Sequence, residues 1–184
     1  TPKWFAEKID LTGKTTVVSF DDDVSIHQIW TERLQSLGLS DQIEHLKIQS
    51  GDLFSRYVHS NLNNLGQTLF LVDFELLNQQ KTGLELIEDL AIAKHAVLVT
   101  SRYEEKSIQE RAEKIGLKIL PKSLGGFVPI FSQNESVVGS ELIDSEPQET
   151  KKFFDIIFLD DDSLNHSTWK MAAEIQGKSI LCFD

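Results

Sequence analysis

The chain has 184 residues with 29 acids against 18 bases and a formal net charge of −11 at pH 7, an excess of the wrong sign for the basic face that neutralises nucleic-acid phosphates. Hydrophobic residues make up 40% and charged residues 26%, enough for an ordinary globular core, and no apolar run approaches the ~18 residues of a membrane span. Cys182 is the only cysteine, so no internal disulfide is available and a reducing, cytoplasmic setting is expected.

Thr1 to Lys14 carries Trp4, Phe5, Ile9 and Leu11 among polar residues and is expected to be an incoming connector, residues 1–14. Thr15 to Phe20 is rich in β-branched residues and predicts a short buried strand. It ends abruptly in Asp21-Asp22-Asp23. Ile26, Ile29, Trp30, Leu34 and Leu37 then recur at helical spacing up to Gly38, with Asp23 or Ser25 placed to cap. Ile43–Ile48 predicts a second strand, followed by a helix through Leu53, Phe54, Tyr57, Val58 and Leu62 that Gly66 closes. Thr68 to Val72 is a third apolar strand ending in Asp73, and Thr82 to Lys94 predicts a helix with Leu84, Ile87, Leu90 and Ala91 on one face. Ala96 to Val99 is a fourth strand ending in Thr100. Glu104 to Ile115 is helical and stops at Gly116, and Leu117 to Leu120 is a fifth strand with Pro121-Lys122 at its end.

The alternation βαβαβαβαβ implies a doubly wound α/β fold, a five-stranded parallel sheet with helices on both faces. Ligands of such sheets bind outside the carboxyl ends of the strands, where Asp21, Asp22, Asp73, Thr100 and Lys122 all fall. Ser123 to Ile130 holds two glycines and a proline where a fifth helix is due, so that helix is expected to be short or missing. Residues 132–152 predict an acidic linker. Residues 153–184 predict a partial second βαβ unit, with a strand to Leu159, a helix from Leu164 to Ile175 and a strand from Ser179 to Phe183. The second unit repeats the first: Asp21-Asp22-Asp23, His27 and Trp30 return as Asp160-Asp161-Asp162, His166 and Trp169, an offset of 139 residues (160 − 21).

Carboxylates gathered at one point repel by about 4 kcal/mol per pair at 4 Å for an effective dielectric of 20. A cation relieves this, and Mg²⁺ suits an all-oxygen shell completed by substrate phosphate. A phosphoryl group on one carboxylate would further need a Lys ammonium and a hydroxyl, which is positioning plus electrostatics.

These residues resemble the receiver domain of two-component response regulators. Phe20-Asp21-Asp22-Asp23-Val24-Ser25-Ile26 is similar to the acid-pair motif, Leu71-Val72-Asp73 to the acceptor strand, Gly83-Leu84-Glu85-Leu86-Ile87 to the helix after it, Val99-Thr100-Ser101 to the switch hydroxyl and Pro121-Lys122-Ser123 to the lysine strand. Trp4-Phe5, Ser25 to Trp30 and Val99 to Glu105 further resemble the C-terminal receivers of hybrid sensor histidine kinases. The resemblance covers residues 15–131 and implies a flavodoxin-like sheet of order 2-1-3-4-5. It implies that Asp73 takes a phosphoryl group from the phospho-histidine of a histidine kinase or phosphotransfer domain. Asp21, Asp22, Asp73 and the backbone carbonyl of Glu75 would hold Mg²⁺, and Thr100 and Lys122 would contact the phosphoryl oxygens. It also implies a cytoplasmic domain of a longer kinase cut within a second receiver, with no nucleic-acid or membrane contact of its own. Three features depart from the pattern: Gly83 lies ten residues after Asp73 (83 − 73), Ser123 follows the lysine while Pro121 precedes it, and Ile119 stands at an aromatic position. Two other readings stay open, a pseudo-receiver interaction module that is not phosphorylated and a haloacid-dehalogenase-like phosphohydrolase using Asp21 and Asp23.

Overall fold

The computed structural model describes residues 2–77, 79–132, 156–159 and 180–183. The chain divides into two compact units, Thr1–Val138 and Gly139–Asp184. In the first, five strands form one parallel sheet: β1 (Thr16–Phe20), β2 (Glu44–Ile48), β3 (Thr68–Asp73), β4 (Ala96–Thr100) and β5 (Lys118–Pro121), in the order β2-β1-β3-β4-β5. This is the doubly wound 2-1-3-4-5 order, whose switch point lies between β1 and β3. The register pairs Phe20 with Val72 and Asp73 with Val99, so the strands run out of ladder together and deliver their next residues to one rim.

The pleat sends alternate residues to two cores. Val18, Phe20, Phe70, Val72, Leu98 and Ile119 face one layer, covered by helices α2 (Gly51–Ser60), α3 (Gly83–Asp89) and α4 (Lys106–Ile115). There the rings of Phe20 and Phe54 stack at 4.5 Å, and Phe54 meets Phe70 edge-on at 5.6 Å. Val17, Leu69, Leu71, Val97, Val99 and Leu120 face the other layer, which has only α1 (Val24–Ser36), burying His27, Trp30 and Leu34. The rest of that layer is closed by irregular chain. Ala6, Ile9 and Leu11 are each buried there beside Val128. Ile9–Asp10 pairs in parallel with Ile130–Phe131, and the Trp4 to Ala6 backbone bonds to both sides of Ile119 on β5. The segment expected to be a mere lead-in thus takes the place of the missing fifth helix, of which only a turn at Lys122–Leu124 remains.

Several boundaries differ from expectation for local reasons. Helix α2 stops at Ser60, and Leu62–Gln67, with Gly66 inside it, is a 3-10 turn. Helix α3 ends at Asp89 rather than Lys94. Ala91 takes a left-handed φ of 54°, its N–H bonds the Glu88 carbonyl and that of Ile92 bonds the Ile87 carbonyl, which is a Schellman stop without its usual glycine. Ile92 is consequently buried where Ala91 is exposed. Helix α4 begins at Lys106, and Gly116, at φ 72°, ends it as expected.

In the second unit Ile156–Leu159 runs parallel to Ile180–Phe183 with Ile156 opposite Ile180, the pairing a βαβ crossover produces. The expected linker beyond Ser132, Asp160-Asp161-Asp162, His166, Trp169 and the helix Leu164 to Ile175 lie outside the described residues.

Candidate functional site

The acidic rim is built at the strand ends: Asp21 and Asp22 follow β1, and Asp73 is the last residue of β3. Asp21, Asp22 and Asp73 each bring a carboxylate oxygen to a point where all lie within 4.8 Å of one another. Asp21 and Asp73 are 2% and 4% exposed, so water does little to screen their repulsion. Lys122, arriving from β5, sets its ammonium 2.9 Å from Asp21 Oδ2 and 3.0 Å from Asp73 Oδ2. It donates a directed hydrogen bond to Asp73. Its contact with Asp21 is an ion pair that misses hydrogen-bond geometry, which leaves Asp21 Oδ2 buried without a directed donor.

The electrostatics follow from this crowding. Burial pushes the Asp73 carboxyl up to about 6; the Lys122 hydrogen bond pulls it down, the Asp21 charge raises it further, and the backbone amide of Glu75 lowers it. Burial alone would depress Lys122, but its contacts with Asp21 and Asp73 outweigh that and hold its pKa above the usual lysine value. The cation is therefore fixed in its charged form between two acids.

Thr100 is fully buried beyond the Asp73–Val99 register pair, and its hydroxyl oxygen accepts the Arg102 N–H at 3.0 Å. Its own proton remains available to donate. Asp23 diverges from the other two acids of its run: it is exposed and caps α1, accepting from the Ser25 amide at 2.8 Å and the Ser25 hydroxyl at 2.7 Å. Those bonds hold its carboxyl below the usual range. The Glu75 side chain turns outward to Arg102 at 3.5 Å.

Parts of the rim were invisible in the sequence because they are made by distant loop atoms. The Leu77 amide donates to Asp22 Oδ2 at 3.2 Å, and Gln79 Oε1 accepts from the Gly51 amide at 3.1 Å, capping α2 where Ser50 does not. The long loop after Asp73 is thereby pinned at both sides of the site. It ends in a capping box, Thr82 with Glu85, and at Gly83, where an added Cβ would lie 1.8 Å from the Asp73 carbonyl oxygen. Only glycine lets α3 start so close to Asp73. Arg102 grips Glu105 with two nitrogens and lies 5.0 Å over the Phe74 ring.

Behind Asp21 runs a chain of polar groups, buried at Ser19 and His27 and half-buried at His45 and Thr31. His27 Nε2 is 2.9 Å from the Asp21 carbonyl oxygen, and His27 Nδ1 is 2.6 Å from Ser19 Oγ. Ser19 Oγ is in turn 2.8 Å from His45 Nε2, whose Nδ1 is 3.1 Å from Thr31 Oγ1. Burial lowers the pKa of both rings, His45 to about 4. One signal of this chain was present in the sequence: Ser19 is the single polar residue between Val18 and Phe20 in an otherwise apolar strand.

No protein-family model and no curated protein matches the chain. Among solved structures it is similar to response-regulator receiver domains. The receiver domain of the histidine kinase CKI1 from Arabidopsis thaliana, complexed with Mg²⁺ and BeF₃⁻, is 20% identical with a TM-score of 0.49, over 62% of this chain and 84% of that one. The response regulator domain of Thermotoga maritima CheB is 21% identical with a TM-score of 0.44, over 62% of this chain and 82% of its own. The Vibrio cholerae chemotaxis protein CheY4 is 16% identical with a TM-score of 0.44, over 59% and 87%.

Proposed function

We propose that residues 15–131 are a two-component receiver domain that takes a phosphoryl group on Asp73. The observation that carries this reading is the Lys122 ammonium held between buried Asp21 and Asp73 at 2.9 and 3.0 Å, with Asp22 completing an acid cluster at the carboxyl ends of adjacent strands. A carboxylate raised to about 6 is ionised at neutral pH yet poorly solvated, which suits a nucleophile. In the proposed step an Asp73 oxygen forms a bond to phosphorus while the P–N bond of a phospho-histidine breaks, its electron pair leaving with the imidazole. Lys122 neutralises the phosphoryl oxygens, and the Thr100 hydroxyl donates to one of them.

The donor set fits a hard divalent cation: three clustered carboxylates, one with a buried oxygen that lacks a directed donor. Asp21, Asp22, Asp73 and the Glu75 backbone carbonyl would hold Mg²⁺. When bound it supplies positive charge to the transferring group. The phosphodonor would be a histidine kinase or phosphotransfer domain. A hybrid histidine kinase is the parent we propose, supported by the recurrence of the Asp, His and Trp pattern from 160 to 169. The lone cysteine supports a cytoplasmic site of action, and among the described residues no helix is long and apolar enough to cross a membrane. The phosphohydrolase reading loses its second acid, because Asp23 faces its own helix and not the cluster.

Incubation with acetyl phosphate and Mg²⁺ followed by intact-mass measurement is expected to show one labile phosphoryl adduct that Asp73→Asn abolishes. Absence of any adduct on the folded protein would leave an interaction module that is not phosphorylated.

A further inference from the structure

The rim carries a set of buried polar groups that the proposed chemistry does not use. Asp21 is 2% exposed and its carbonyl oxygen lies past the last ladder pair of β1, Phe20 with Ile48 and Val72. A buried carbonyl there destabilises the fold unless it finds a donor. His27, in the first turns of α1, provides one at 2.9 Å. A carbonyl can only accept, so His27 Nε2 carries the proton and a neutral ring leaves Nδ1 as an acceptor. That nitrogen is matched by the Ser19 hydroxyl at 2.6 Å, whose oxygen accepts from His45 Nε2 at 2.8 Å. From the Asp21 carbonyl to His45 each bond then has one direction, which requires Thr31 Oγ1, 3.0 Å from the His27 carbonyl, to give its single proton to His45 Nδ1 at 3.1 Å.

What this series holds is the peptide joining Asp21 to Asp22. The Asp21 amide is tied on its other side to the Ile48 carbonyl at 3.1 Å, so the backbone between the two adjacent acids cannot rotate without breaking one of these bonds. We infer that His27, oriented by Ser19 and His45, is a positioning residue that sets the Asp21–Asp22 peptide so that both carboxylates converge on the divalent-cation site. The inference rests on the proposed metal-binding role of those acids. It assigns work to residues of β1, β2 and α1 that never touch the ion, in the way that outer groups orient metal ligands. It also gives Ser19 a reason to occupy an apolar strand.

The test is Mn²⁺ affinity, read from loss of the free-ion EPR signal with Mg²⁺ as competitor, set beside thermal unfolding of the same samples. Ser19→Ala and His27→Leu are expected to weaken Mn²⁺ binding about tenfold. His27→Gln, whose amide can still donate to the Asp21 carbonyl, should stay within about threefold of the parent. Phe54→Leu, in the opposite core layer, should lower the unfolding temperature with affinity unchanged. The inference is overturned if Ser19→Ala and His27→Leu bind as the parent does, or if Phe54→Leu loses affinity in step with stability. A parent chain that binds neither ion would instead overturn the metal role of Asp21, Asp22 and Asp73 from which the inference starts.

Discussion

The aromatic layer under the sheet and the acidic rim at its end are built from the same strands with opposite priorities. In the layer, Phe20, Phe54 and Phe70 are fully buried, in contact and without a polar atom to satisfy. At the rim, one residue past Phe20 on β1 and three past Phe70 on β3, like charges are buried together and one oxygen goes without a directed donor. The layer supplies stability, and the rim gives some of it up to gather the groups of the proposed acceptor site. Mutations in the two regions should therefore differ in sign.

The largest expected effect breaks the layer. Phe54→Ala removes the ring between two others and should cost about 3–5 kcal/mol in urea unfolding, while Ile9→Ala in the irregular opposite layer should cost about 2 kcal/mol because loose chain can collapse on the gap. Equal losses would mean that the two core layers are packed alike.

At the rim the sign reverses. Asp73 has a pKa of about 6 in the fold against 3.8 for the free group. The fold thus favours its protonated form, and that stabilising contribution is present at low pH and lost as pH rises through about 6. The shift sets a ceiling of about 3 kcal/mol at neutral pH, from which loss of the Lys122 hydrogen bond must be subtracted. Without divalent cations, Asp73→Asn should be more stable than the parent by about 1–2 kcal/mol at pH 7.5, with the gain shrinking toward pH 4. A variant less stable than the parent at pH 7.5 would show that Lys122 already compensates the buried acids. Adding Mg²⁺ at ten times its dissociation constant should stabilise the parent by about 1.4 kcal/mol, and Asp21→Asn should lose most of that response. The smallest effect sharpens the helical side. Ala91→Gly relieves the left-handed position that ends α3 and should gain about 0.5–1 kcal/mol, a rise in unfolding temperature of a few degrees.

The central strands were legible because β3 and β4 are apolar runs closed by a polar residue, and β1 is such a run broken only by Ser19. The same rule picked out Asp21, Asp73 and Thr100, since the residue that stops an apolar strand in a parallel sheet stands at its functional end. Lys122 was legible in the same way after Pro121. Helix ends were less so, because Ala91 does what glycine usually does and because Gln79 caps α2 from across the rim. The replacement of a fifth helix by residues near both ends of the unit depends on contacts such as Ile9 with Ile130, and no local pattern encodes a pairing over that separation. The His27 series stayed hidden for a related reason: its members come from three elements, and each is unremarkable alone.

The pairing of Ile9–Asp10 with Ile130–Phe131 also has a mechanical meaning. The two strands run the same way, one entering the unit and the other leaving it. Tension applied through the flanking chain would drag them in opposite directions along their length. Their hydrogen bonds would then be loaded together, as a lap joint is loaded, and would not be peeled apart one after another. The short ladder so placed resists stretching in shear, and because Trp4 to Ala6 bonds to Ile119 ahead of it, the edge strand β5 shares that load.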